Sequence, residues 1–222
     1  MADTLKHKIQ SAQPGLVFYS LTPPKITTEA TKIVTIAEAQ VGRLQHLAID
    51  GLILYDIQDE SMRTDKERPF SFIPTLAPEH YGRISLADLP APKIIYKSIA
   101  NQTRESFGNW LQQNEDLEYM VFVGASSKQQ VESTNFSLAD AYQLRKDRHP
   151  DLLLGGVTIP ERHTKKGDEH RRIFDKMKNG CSFLCRSVYT TLTIPKTCYR
   201  TTITKTRAHS RRSYSPLPPA VP

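Results

Sequence analysis

Apolar runs alternate with amphipathic segments along most of the chain. LVFYSL, from Leu16 to Leu21, is a short run of aromatic and branched residues closed by Pro23 and Pro24, which cannot continue a hydrogen-bonded ladder. That predicts a first strand. Between Thr28 and Leu47 the apolar residues Ile33, Ile36, Ala37, Val41, Leu44 and Leu47 recur at intervals of three and four, the period of an amphipathic helix. Gly51 then breaks the chain ahead of LILYDI, Leu52 to Ile57, a second strand.

The unit repeats. KIIYKSI (Lys93 to Ile99) is followed by a helix over Thr103 to Gln113, and YMVFVGA (Tyr119 to Ala125) by a helix over Leu138 to Arg148. LLLGGVTI (Leu152 to Ile159) precedes a helix-like segment that ends in DKMKNG, and a sixth strand begins at CSF. The runs are almost continuously apolar rather than alternating, which suits parallel strands buried on both faces. Such alternation predicts an α/β fold, either an open doubly wound sheet or a (β/α)8 barrel. In both, chemistry collects in the loops after the strands' carboxyl ends.

Those loops are polar. DIQDESMRTDKERPF carries Asp56, Asp59 and Glu60, acids able to position or transfer a proton, or otherwise to form surface ion pairs. GASSKQQ places small residues and hydroxyls after a buried strand, but Lys128 stands where a nucleophile elbow needs its second glycine, which excludes that type of hydrolase site. In IPERHTKKGDEH the two histidines, His163 and His170, are not spaced as in HExxH, so no metal site is expected there.

Charge and cysteine content narrow the picture further. The formal charge of +7 lies wholly in the last segment: from Leu184 to Pro222 there are seven Lys and Arg and no Asp or Glu, which leaves the rest balanced at 23 of each sign. Basic residues in KTRAHSRRS have only Tyr214 nearby, too little to read as a nucleic-acid surface. Cys181, Cys185 and Cys198 have neither CxxC pairing nor spaced His partners, so neither a disulfide nor a zinc site is expected. No apolar stretch reaches the ~18 residues of a membrane span, and the first ten residues lack the apolar core of a signal peptide. A soluble, cytoplasmic protein is the expectation.

Taken together, LVFYSLTPPK, YKSI, VFVGASS, and above all GGVTIPERH followed by DKMKNGCSF, resemble the methylenetetrahydrofolate reductase family of FAD-linked (β/α)8 barrels. The resemblance spans roughly Leu16 to Phe183. It implies an oxidoreductase that passes a hydride from NAD(P)H, as co-substrate, through FAD to a folate-bound one-carbon unit. It places Tyr55, Tyr96, Gly124, Ala125, Ser126, Ile159, His163, Glu169, Arg172 and Lys176 at flavin-contact positions.

There are departures from the family pattern. Its usual acid near the first strand is Ser20 here, its flavin-side Asp is Ser126, and its strand-two threonine and strand-three histidine are Tyr55 and Tyr96. With Ser20 in place of the acid, Asp56, Asp59 and Glu60 become the candidate catalytic acids. The alternative is a non-catalytic barrel that retains only ligand binding or association.

After CSF, threonine accumulates, acids vanish and helical periodicity is lost, a switch that resembles out-of-frame translation or mis-splicing. The expected organisation is an N-terminal segment over 1–15, a partial barrel over 16–186 with five to six βα units, and a basic Thr/Ser/Pro-rich disordered tail over 187–222. A barrel short of eight strands leaves two sheet edges open, which predicts marginal stability or self-association.

Overall fold

The structure is a computed structural model that describes residues 4–59, 71–124, 135–160, 163 and 166–186. The chain divides into two units, Met1–Val157 with Met177–Cys185, and Thr158–Lys176 with Arg186–Pro222.

Among the described residues six strands form one sheet: β1 (Phe18–Leu21), β2 (Gly51–Leu54), β3 (Lys93–Ser98), β4 (Tyr119–Val123), β5 (Leu153–Thr158) and β6 (Cys181–Arg186). Their spatial order is their order in sequence, and β1 through β5 pair in parallel. A doubly wound sheet would reverse direction at a switch point. This one does not, so the fold is an incomplete (β/α)8 barrel.

Register explains which side chains face which way. Ile53, Ile94, Tyr119 and Leu153 lie side by side across four strands, and Tyr96, Val121 and Gly155 form the same-facing row two residues further on. With Cys185 and Phe183 of β6, these rows form the core on the inner face of the sheet. The alternate rows, including Leu54, Ile95, Met120 and Leu154, form the larger core on the helix-covered face. Strands buried on both faces account for the continuously apolar sequence.

Two helices of the first unit start at reciprocal side-chain caps. In α4 (Arg104–Gln113) and α5 (Leu138–Arg148), Thr103 with Ser106 and Ser137 with Asp140 form reciprocal capping boxes. Helix α2 (Ala30–Leu44) buries Ala37 and Leu44 against the sheet. A short helix α3 (Pro78–His80) runs on into a wider turn over Tyr81–Ser85, neither of which the hydrophobic period predicts.

The segment over 1–15 also holds structure that periodicity does not reveal. Helix α1 (Leu5–Gln10), N-capped by Thr4, buries Leu5 and Ile9 in the inner-face core beside Ile53, Ile94 and Tyr119. Two apolar residues one turn apart are too few to register as a period. The tail expected over 187–222 lies outside the described residues.

Candidate functional site

The carboxyl ends of β2 and β3 carry the first group of predicted residues. Tyr55 and Tyr96 face the inner core and pack edge to face, with ring centroids 4.9 Å apart and planes at 79°. The Tyr96 hydroxyl hydrogen-bonds Cys185 on β6, so the phenol and thiol close the inner face at this level. Burial raises both groups: the phenol well above its ordinary value, and the thiol to about 11 despite an opposing contribution from the Tyr96 hydrogen bond.

Asp56 follows Tyr55 and so takes the opposite facing. Its Oδ2 accepts the backbone N–H of Ser98 at 3.0 Å and lies 3.8 Å from Lys97 Nζ, while Oδ1 accepts from Gln58 Nε2 at 2.7 Å. Lys97 Nζ in turn lies 4.7 Å from the centre of the Trp110 ring on α4. Asp56 therefore ties β2 to β3 beside α4, apart from the inner-face tyrosines. Asp59 is exposed, and Glu60 lies outside the described residues. Gly124 is half-buried just after β4, while Ala125 and Ser126 lie outside the described residues. Ser20, in the family's acid position, pairs with Ile53 in register and is exposed.

A cavity of about 420 Å³ lies at the other end of the strands, lined by Leu5, Lys8, Leu44, Asp50, Pro90 and Tyr119 among others. It contains none of the predicted site residues.

The second unit carries the remaining group. Here α6 (Glu169–Lys178) is preceded by a turn in which Gly167 takes a left-handed φ of 66° and donates its N–H to the His163 carbonyl. Asp168 accepts the Arg171 N–H on its own carbonyl and the Arg172 Nε on Oδ2 at 3.4 Å, which fixes the start of the helix. Glu169 is wholly buried. Its Oε1 accepts the Ile159 N–H at 2.8 Å and the Thr158 hydroxyl at 3.4 Å. Its Oε2 has no partner among the described residues, nor do His163 Nδ1 and Asp168 Oδ1, although all three atoms are buried. The rings of His163 and His170 lie 5.4 Å apart at 72°.

Ile159, His163 and Glu169 are thus brought into one short loop and helix start, and Arg172 and Lys176 follow at three and seven residues along the same helix face. The sequence reading missed Thr158, Asp168 and Cys185. Thr158 and Asp168 were hidden because their roles depend on the turn around Gly167. By sequence Cys185 is an unpaired cysteine, although its place two residues beyond Phe183 on one strand puts both on the inner face.

These residues fit a flavin dinucleotide in chemical type. Glu169 Oε2 offers an acceptor for sugar hydroxyls, and Arg172 and Lys176 offer two cations for phosphates.

A solved structure of an uncharacterised protein from Clostridium thermocellum, which binds two copies of 5-methyl-5,6,7,8-tetrahydrofolic acid, superposes with a TM-score of 0.79 and 35% sequence identity. The chain is similar to a folate-binding protein. The match covers 94% of this chain and 66% of that one, so the chain spans just under two thirds of the relative's length. No protein-family model and no curated protein matches the chain. Among the described residues, no helix is long and apolar enough to cross a membrane.

Proposed function

We propose that the chain binds a reduced folate of the methyltetrahydrofolate kind on a barrel of the methylenetetrahydrofolate reductase type. The observation that carries this reading is the 35% identity, over 94% of the chain, to a protein that binds 5-methyltetrahydrofolate. Tyr55, half-buried after β2 with the buried Tyr96 behind it, supplies aromatic surface for a planar pterin. Isothermal titration with 5-methyltetrahydrofolate tests it: saturable binding is expected, and no heat or fluorescence change at millimolar folate would end the proposal.

A second reading is the reductase itself, favoured by the Glu169, Arg172 and Lys176 set in the second unit. FAD, when bound, would carry hydride from NAD(P)H to the folate-bound one-carbon unit. Glu169 would accept from its sugar hydroxyls, and Arg172 and Lys176 would face its phosphates. The acid that such chemistry requires is the weak point, because Ser20 carries no carboxyl and Asp56 is engaged by Ser98, Gln58 and Lys97. A visible spectrum of the purified chain with added FAD, followed by NAD(P)H oxidation with methylenetetrahydrofolate, separates this reading from folate binding alone.

A further inference from the structure

The cavity of about 420 Å³ at the amino ends of the strands belongs wholly to the first unit and uses none of the residues assigned above to folate or flavin. Helix α1 supplies one wall through Leu5 and Lys8. Leu44 at the end of α2 and Asp50 ahead of β2 supply a second, and Glu118 and Tyr119 at the start of β4 a third. Its size is that of a small-molecule site, and such sites combine apolar walls with a few placed polar groups.

The charges on these walls do not cancel. Asp50 is fully engaged: Oδ1 accepts from the Lys8 ammonium at 2.8 Å and Oδ2 from the Val17 N–H at 2.7 Å, so the pair with Lys8 is neutral within itself. Glu118 is left over. It is exposed and takes part in no ion pair among the described residues. The Tyr119 hydroxyl donates to it and accepts the backbone N–H of Lys6, which ties the carboxylate to the cavity wall. An anion beside a mainly apolar, half-enclosed space selects a ligand with a cation at one end and an apolar body at the other, because the body leaves water while the charge meets its counterion.

The geometry points to a small-molecule site at the amino ends of the strands for an amphipathic amine, its protonated amino group on Glu118 and its apolar body against Leu5 and Leu44. The site is separate from the folate-binding reading, because it lies at the opposite end of the strands from Tyr55 and Tyr96.

The test uses phenethylammonium at neutral pH, with phenethyl alcohol as its uncharged counterpart and hydrocinnamate as its anionic one. Each is titrated into the full nitrogen-15-labelled chain and followed by NMR. Phenethylammonium is expected to bind saturably and to shift the backbone signals of Leu47, Ile49 and Ala91, which line the cavity, with the alcohol weaker and hydrocinnamate weaker still. Glu118→Gln alters an exposed side chain and keeps its shape; amine binding should fall about two- to fivefold, the usual strength of a partly exposed ion pair, while the alcohol is unaffected. Leu47→Lys sets a cation at a half-exposed position of the same cavity without touching Glu118, and should weaken the amine and favour hydrocinnamate. The ligand-free melting temperature checks that both variants fold. Absence of saturable shifts at the cavity residues with every probe overturns the site. Equal binding of amine and alcohol, or unchanged amine affinity in folded Glu118→Gln, overturns the assignment to a cation. Tighter binding of hydrocinnamate to the wild type would give the site to anions through Lys8 and overturn the proposal.

Discussion

Phe183 of β6 occupies the space that a side chain on Gly155 of β5 would fill. A Cβ on Gly155 would lie 2.5 Å from Phe183 Cε2 and 2.8 Å from Val121 Cγ2, closer than carbon atoms approach without displacement. The glycine is therefore required by packing on the inner face, since its own row continues Tyr96 and Val121.

Gly155→Ala is expected to destabilise the fold by about 1–3 kcal/mol, the usual cost of overpacking a well-filled core. Urea denaturation measures it. Combining Gly155→Ala with Phe183→Leu relieves the clash with the ring, leaves that with Val121, and is expected to recover part of the loss. A double variant no more stable than Gly155→Ala alone would mean that the ring is not what the glycine accommodates.

Asp56 gives the second prediction. Its carboxylate satisfies the buried-strand N–H of Ser98 and faces Lys97, with both charged side chains largely buried, at 13% and 14% exposure. Asp56→Ala leaves that N–H without its acceptor and is expected to cost about 1–3 kcal/mol of stability. Any fall in folate binding should be no larger than the stability loss explains. A folded, fully stable Asp56→Ala chain that no longer binds folate would instead place Asp56 in the binding site.

Much of the fold was legible because the strands are buried on both faces. Lys93–Ser98, Tyr119–Val123 and Leu153–Thr158 fall within one or two residues of the runs read from sequence, and α5 coincides with its predicted range. The choice between barrel and doubly wound sheet was not legible from the alternation itself, because both use the same βα unit and differ only in where the chain turns next. Helix α1 escaped notice because only Leu5 and Ile9 report it.

The site was legible in part and for a definable reason. A sequence shows that Asp56 follows a strand, but its facing depends on strand register, which puts it beside Lys97 rather than beside Tyr55 and Tyr96. Family resemblance picks out Glu169, yet its full burial and its hydrogen bond from the Ile159 N–H, ten residues earlier, are set by tertiary contact. Local pattern does not encode such contact.

Part of the pH dependence of stability at the acidic end should follow Asp50, alongside Asp116 and Asp140, which Arg83 and Ser137 also hold low. The Lys8 ammonium at 2.8 Å and the Val17 N–H at 2.7 Å hold the Asp50 carboxyl below the ordinary value near 3.8. A carboxyl depressed in the folded state adds stability that is present above its unfolded value and lost as the pH falls through the folded one. Unfolding free energy should therefore decline below about pH 4. Asp50→Asn, which retains an oxygen for Val17, is expected to be less stable than wild type at pH 7 and to converge on it near pH 2. Parallel curves for the two chains across that range would show that this carboxyl makes no contribution.

At the alkaline end Cys185 is one contributor, and the sign reverses. Burial pushes its thiol up to about 11, although the Tyr96 hydroxyl favours the thiolate. A group raised in the folded state stays protonated there while the unfolded chain ionises, so its contribution is intact below the unfolded value of about 8.5 and declines as the pH rises toward about 11. The thiolate is the reactive form, so at pH 8 the native chain should label at Cys185 at least about a hundredfold more slowly than the denatured chain. Tyr96→Phe removes the donor that favours the thiolate and is expected to slow labelling further, provided the phenyl ring holds the same place against Tyr55. Mass spectrometry after timed alkylation locates the label, so Cys181 and Cys198 do not confuse the result. If Cys185 labels in the native chain as fast as in urea, the inner face is open at this level and the contact with Tyr96 does not close it.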